Sequence, residues 1–110
     1  MNDVDPQMLK GLVTLLLLHL VAEREDYGYA LVVRLREAGF GEMAEGTVYP
    51  ALARCEQAKW VDSRLVASER GPARKYYRIS TSGQRELARA LESWSYLSGL
   101  VAGLTQGETS

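Results

Sequence analysis

A mainly α-helical fold with one small β-hairpin is expected from this sequence, and three observations carry the expectation. Apolar residues recur at helical spacing from Met8 to Cys55, the period changes to alternation between Trp60 and Ile79, and helical spacing returns from Leu87 to Leu104. Each element can be justified in turn from its boundary residues and its apolar pattern.

The first helix starts at Asp5-Pro6, an N-cap acid followed by proline at the first helical position, and is expected to run to about Glu23. Met8, Leu9, Leu12, Val13, Leu15, Leu16, Leu17, Leu18, Leu20 and Val21 cover most of its circumference, whereas a surface helix shows an apolar stripe about 100° wide. Such a helix needs cover on more than one side, and a second chain is expected to supply part of it. His19 reads as a hydrogen-bonded core or interface histidine rather than a metal ligand.

Arg24 to Asp26 form a polar break, after which Asp26 is expected to cap a second helix running to Ala38 and closed by Gly39 in a left-handed conformation. Tyr27, Leu31, Leu35 and Ala38 share one face. Gly28 is costly in a helix interior and cheaper in a first turn, where it suggests close backbone approach. Phe40 to Glu45 then lead into the stretch GTVYPALARCE, Gly46 to Glu56.

Pro50 lacks an N–H and crowds the preceding turn, so it is expected in the first turn of a helix that begins near Gly46 or Thr47. The N-terminal end presents free N–H groups, the Thr47 hydroxyl and the Tyr49 phenol, a set suited to phosphate or to base edges, and Arg54 adds a cation two turns on. Val48, Ala51, Leu52 and Cys55 form the core face. Three helices with a short link between the second and third fit a helix-turn-helix.

Beyond Gln57, Val61, Ser63, Leu65 and Ala67 alternate with Trp60, Asp62, Arg64 and Val66, and Tyr77 and Ile79 with Tyr76 and Arg78. These are two antiparallel strands joined at Glu69-Arg70-Gly71-Pro72. Basic residues line the turn and the second strand, so after a helix-turn-helix the hairpin reads as a wing reaching along DNA. Thr81 and Gln84 suggest a capping box opening a last helix. Leu87, Leu91, Trp94, Ser98 and Val101 recur at steps of four and three, flanked by Ala90, Leu97 and Leu104, a coiled-coil-like seam on a helix roughly 30 Å long. The expected architecture is a winged helix-turn-helix over 1–80, a dimerisation helix over 81–105 and a disordered tail over 106–110.

Composition narrows the functional classes. The 110 residues are 46% hydrophobic and 25% charged, which suits one small domain, and the net charge of -1 advertises no global attraction to nucleic acid. The positive charge is local: Arg64, Arg70, Arg74, Lys75 and Arg78 crowd the hairpin, opposed there by Asp62 and Glu69. A single Cys55 excludes an intramolecular disulfide and, with one histidine, gives no ordinary metal site; no cofactor is implied and the expected setting is cytoplasmic. No secretory leader is evident, and Leu12 to Leu18 is too short an apolar run to span a bilayer. No set of acid, base and nucleophile suggests an enzyme.

Four strings in order, YGYAL at Tyr27 to Leu31, GTVYPALARCE at Gly46 to Glu56, GPARKYYRIS at Gly71 to Ser80 and ESW at Glu92 to Trp94, make the chain resemble a PadR-like transcriptional regulator of the short subfamily with one C-terminal dimerisation helix. The resemblance implies a homodimeric repressor of a pseudo-palindromic operator in double-stranded DNA, released by a small molecule. It places DNA contacts on Thr47, Tyr49 and Arg54 and on Arg70, Gly71, Arg74 and Lys75 of the wing. Tryptophan at Trp94 resembles the multidrug-binding members, where paired tryptophans stack a planar aromatic effector at the dimer interface. Leu91 and Ser98 would flank it, with Met8, Gly11, Leu12, Leu15 and His19 on the first-helix side. Three positions depart from the pattern: Ala58-Lys59-Trp60 replaces a small-residue turn, Ala73 stands where another base is common, and Ser98 where drug-binding members carry an acid. The alternative is a winged-helix interaction module that dimerises without a small-molecule ligand.

Overall fold

A computed structural model of the chain describes residues 4–106, in which five helices surround one apolar core and a three-stranded antiparallel sheet, order β1-β3-β2, closes one side. Of the tail expected over 106–110, Gln106 caps the last helix and residues 107–110 lie outside the described residues.

The first expected helix is two. Helix α1, Pro6–Lys10, opens where expected, with Asp5 Oδ1 accepting from Gln7 N at 2.8 Å. Gly11 N then bonds Met8 O and Leu12 N bonds Leu9 O, three residues back rather than four, and this tightened turn separates α1 from α2, Val13–Glu23. Leu9, Val13, Leu17, Leu18 and Val21 all enter the core. Four elements, α3, α4, β3 and α5, pack on α2, so the chain itself covers several sides of it and leaves Leu12, Leu15, Leu16 and Leu20 half-buried.

Asp26 does not cap a helix. It and Tyr27 form a short strand, β1, paired with β3 in the register Asp26↔Tyr77 and Tyr27↔Tyr76. The Asp26 carboxylate is drawn instead to the Arg34 guanidinium, which donates to Asp26 Oδ2 at 3.1 Å, Glu23 Oε1 at 3.0 Å and Leu20 O at 3.1 Å. That one arginine, in the last turn of α3, Gly28–Glu37, ties this helix to the end of α2 and to β1. Helix α3 ends as expected: Gly39 has φ +116°, and Gly39 N and Phe40 N bond back to Arg36 O and Leu35 O, a Schellman closure.

Helix α4, Glu45–Gln57, begins within one or two residues of the expected start, but Pro50 is its sixth residue and so lies inside the helix rather than in its first turn. The missing bond would have ended on Gly46 O, and Gly46 and Pro50 are both exposed, so the carbonyl that the ring leaves free is open to solvent. Trp60 N bonds Cys55 O and Lys59 N bonds Glu56 O, the same closure as in α3, but with Lys59 at φ 66° in place of glycine. The turn flagged as unusual in the sequence is thus a strained one.

Strands β2, Val61–Ser68, and β3, Gly71–Ile79, form the expected hairpin, with Gly71 at φ +140° and the register slipping by one residue between Val66 and Ser68. Helix α5, Thr81–Thr105, is capped by Ser80 rather than Thr81. Ser80 Oγ accepts from Gly83 N at 3.0 Å and donates to Lys59 O at 2.7 Å, a carbonyl that Ser82 also reaches. At Gly83 an added Cβ would stand 2.0 Å from Trp60 O, so only glycine lets the root of α5 lie against the exit from α4. From there α5 leaves the globule, and the described residues span 62 × 33 × 20 Å.

Candidate nucleic-acid interface

Helical spacing divides the residues of α4 among three exposed sides. Gly46, Pro50, Ala53 and Gln57 face solvent, Tyr49 and Glu56 lie toward the wing, and Thr47 and Arg54 lie on the opposite flank. The solvent side is therefore small and flat, and polar groups stand along its edges.

On the wing side Tyr49 is seated against Gly28, where an added Cβ would meet Tyr49 Cε1 at 2.5 Å. The close approach anticipated at Gly28 is to the Tyr49 ring of α4. Burial, then the charge of Glu45, pushes the Tyr49 phenol above its ordinary value, so it remains a neutral hydroxyl donor. Tyr49, Tyr29, Tyr77, Arg74 and Lys75 border a cleft of about 550 Å³ between α4, α3 and β3.

The wing cations differ in their availability. Alternation along β3 puts Lys75, Tyr77 and Ile79 on the inner face and Arg74, Tyr76 and Arg78 on the outer. Lys75 Nζ is 2.9 Å from Glu56 Oε1 and 5.6 Å from the Tyr77 ring centroid, and Ser63 Oγ donates to the other Glu56 oxygen. Arg64 donates two bonds to Glu25, at 2.7 and 3.0 Å. Arg74 stacks over the Tyr27 ring, 4.4 Å from its centroid, and Tyr27 in turn tilts against Tyr76. Arg70 and Arg78 are exposed without an ion-pair partner among the described residues. Three arginines, 70, 74 and 78, are thus free to neutralise phosphate, whereas Arg64 and Lys75 are already held.

A second cleft, about 710 Å³, lies between α2, the C-terminal part of α4 and α5. Leu12, Leu15, Trp94 and Leu97 make one end apolar, and Arg54, Gln57, Glu86 and Arg89 make the other polar. Trp94 is 43% exposed on its wall.

A family model described as the transcriptional regulator PadR-like family matches residues 17–89, from α2 through the wing into α5. The chain belongs to that family. PadR-like solved structures share the fold over almost the whole chain. A PadR-like transcriptional regulator from Bacillus cereus is 40% identical, with 93% of this chain and 99% of that one covered at a TM-score of 0.80. A Streptococcus transcriptional regulator is 36% identical, with 92% and 99% covered at 0.80, and a PadR family regulator from Eggerthella lenta is 29% identical, with 93% and 88% covered at 0.84. Membership places the chain among DNA-binding transcriptional regulators, not enzymes.

The PadR-like fold brings together only part of each expected residue set. Tyr49, Arg74 and Lys75 share the wing-side cleft, and Arg70 and Gly71 form the wing tip. Thr47 lies apart, half-buried beside Pro6 and Leu9 of α1, and Arg54 lines the cleft of Trp94. Of the expected effector contacts, Gly11, Leu12, Leu15 and Trp94 border that cleft. Met8 is 72% exposed on α1, His19 is exposed on α2 with Nε2 3.3 Å from Glu23, and Leu91 and Ser98 lie outside the lining, Ser98 Oγ donating to Ser95 O. Sequence reasoning missed Glu56, although the alternation of β3 already turned Lys75 toward α4. Among the described residues no cluster of histidine, cysteine and acids could hold a metal, and no helix is long and apolar enough to cross a membrane.

Proposed function

We propose that this PadR-like regulator is a homodimeric repressor, acting in the cytoplasm on a pseudo-palindromic operator and released by a planar aromatic molecule in the cleft beside Trp94. The observation that carries the reading is Trp94 itself: a half-exposed indole on the wall of a 710 Å³ cleft, opposite Gly11, Leu12 and Leu15. That volume falls in the range of small-molecule sites, and the exposed ring face offers stacking worth about 0.5–1.5 kcal/mol beyond area burial.

Dimerisation is supported by α5, on which Leu91, Trp94, Leu97, Leu100, Val101 and Leu104 are all 43% exposed or more. A stripe of that size on one helix calls for a partner, and a twofold axis lets each copy cover the other with the same surface. The two α4 helices and wings would then read half-sites about one DNA turn, or roughly 34 Å, apart. Tyr49 and Thr47 at the N-terminal part of α4, and Arg70, Gly71 and Arg74 on the wing, are the proposed contacts, with Lys75 reaching phosphate only after leaving Glu56. A ligand that favours a wing separation unsuited to the operator lowers operator affinity by the same factor by which the operator lowers its own.

The test combines selection from a random DNA pool with titration of flat aromatic dyes against Trp94 emission, in a Trp60→Phe background because Trp60 also borders the cleft. The reading expects enrichment of palindromic fragments, quenching by dyes, and a Trp94→Ala protein that still dimerises and binds the operator but no longer responds. A protein that dimerises yet enriches no fragment at low salt would be an interaction module. A Trp94→Ala protein that falls to monomers would make the indole a packing anchor.

A further inference from the structure

The wing carries its free cations on its outer face and at its turn, and one large apolar side chain on its inner face. We infer that Leu65 is a DNA contact of a different kind from the arginines: it lies against the deoxyribose wall of the minor groove next to the major groove entered by α4, and holds the wing there independently of salt. This rests on the reading of the hairpin as a wing laid on DNA, and adds to it a residue, a groove wall and the nature of the contact.

Among the described residues, the exposed large hydrophobics outside α1 and α5 are Tyr29, Tyr49 and Leu65. The two tyrosines border the wing-side cleft together with Arg74 and Lys75. Leu65 stands directly opposite Lys75 in the register of β2 and β3, so both side chains leave the inner face of the ribbon, with Cβ atoms about 5 Å apart. The apolar surface therefore continues from the cleft onto the wing. Lys75 does not cover the leucine, because its Nζ is drawn to Glu56 on α4. Ala73, next toward the tip on the inner face of β3, is too short to do so. Leu65 packs on no part of the core and stays 72% exposed, more than Tyr29 at 47% or Tyr49 at 40%.

Its place on the ribbon says which part of DNA it meets. Ser63, two residues before it on the same face, is bonded to Glu56 of α4, so Leu65 is the first inner-face residue of β2 beyond that anchor, about 7 Å further out. One helix fills a major groove about 12 Å wide, and a hairpin flanking that helix has the neighbouring minor groove before it. The walls of this groove are deoxyribose, with phosphate at the rim. Arg74 and Arg78 on the outer face, and Arg70 at the turn, suit the phosphates. On the inner face of the two strands the charged residue is Lys75, already paired, and Leu65 beside it suits the C–H surface of the sugars. A phosphate contact weakens as salt rises and an apolar contact does not, so a wing with both keeps part of its hold when its arginines are screened.

Fluorescence anisotropy on a selected fragment across a salt series, with hydroxyl-radical footprints of the same complexes, tests this, because the radical attacks deoxyribose from the minor groove. Leu65→Ala should bind about tenfold more weakly at every salt concentration, as for an aliphatic side chain no longer removed from water, with the slope unchanged. It should also lose the sugar protection in the minor groove beside the α4 site while the rest of the footprint stays. Leu65→Met, which keeps the apolar volume, should bind as the wild type does. Wild-type affinity in Leu65→Ala overturns the inference and leaves the arginines as the wing's DNA contacts. A flatter salt slope in Leu65→Ala overturns it too, and so does sedimentation showing that this variant falls to monomers, which would give the leucine to a second copy of the chain. If the wild type itself selects no fragment, the reading of the hairpin as a DNA-binding wing fails, and the inference with it.

Discussion

Lys75 Nζ lies 2.9 Å from Glu56 Oε1, so a cation of the wing is held in the free protein by the helix that the wing flanks. The same carboxylate accepts from Ser63 on β2, and one glutamate thereby fastens both strands of the hairpin to α4. Counterion release then depends on which wing cations are free. Arg74→Ala should flatten the plot of log affinity against log salt by about 0.9, the slope of one phosphate contact. Lys75→Ala should leave the slope nearly unchanged, and Glu56→Gln should steepen it by freeing the lysine. Fluorescence anisotropy across a salt series measures all three; a flatter slope for Lys75→Ala would mean that the lysine leaves Glu56 for DNA.

Acid should loosen the molecule through three carboxylates. Arg64 holds Glu25 below the ordinary value of 4.5, Ser63 and then Lys75 hold Glu56 below it, and Arg89 holds Glu86 below it. A depressed folded value stabilises the fold fully above the ordinary carboxylate range and less as pH falls through the folded values. The urea midpoint should therefore be flat from pH 7 to about 5 and decline below 4.5, and Glu86→Gln should make the decline shallower. A decline already complete at pH 5 would point to other groups.

Lys59 is held at φ 66° in a closure that glycine occupies at the end of α3. The left-handed conformation costs a side-chain-bearing residue about 1–2 kcal/mol, part of which glycine returns through its freer unfolded chain. Lys59→Gly should accordingly raise stability by about 0.5–1 kcal/mol in urea titrations. A loss instead would show that the lysine stem packs usefully on the turn.

Gly28→Ala forces a methyl group against the Tyr49 ring, 2.5 Å from Cε1. Overpacking of this kind costs about 1–3 kcal/mol, offset by up to about 1 kcal/mol of helix propensity. Operator affinity should suffer more than stability, because the displaced ring belongs to the reading helix. In the Gly28→Ala, Tyr49→Ala double variant the stability costs should fail to add, and strict additivity would show that the two residues do not press on each other.

How much of this was legible follows from which signals are local. The hairpin, the long last helix and the left-handed Gly39 could be read because period and turn chemistry are properties of neighbouring residues. Gly28 could be read as a close approach, but not as the seat of Tyr49, since the partner is distant in sequence. Pro50 located the start of α4 to within one or two residues, and lies past the first turn because an exposed carbonyl can do without its bond. Asp26 was misassigned because Arg34 and β3 compete for it more strongly than a helix N-terminus does. That Arg54 lines the cleft between α2, α4 and α5 could not be read from the sequence, because the packing of α2 and α5 decides what each flank of α4 faces.

The glycine that roots α5 against Trp60 O turns the helix into a ruler read in units of phase. Gly83 and Trp94 are eleven positions apart, close to three whole turns at 3.6 residues each, so the face that meets the domain at one end bears the indole at the other. Removing one residue between them would swing Trp94 by about 100° and draw it in by about 1.5 Å, taking it from the cleft altogether. Length changes in this segment are therefore quantised. The segment between Gly83 and Trp94 can change length among descendants of this chain only by jumps that restore the phase, whereas residues beyond Trp94 can be gained or lost with the indole still in place.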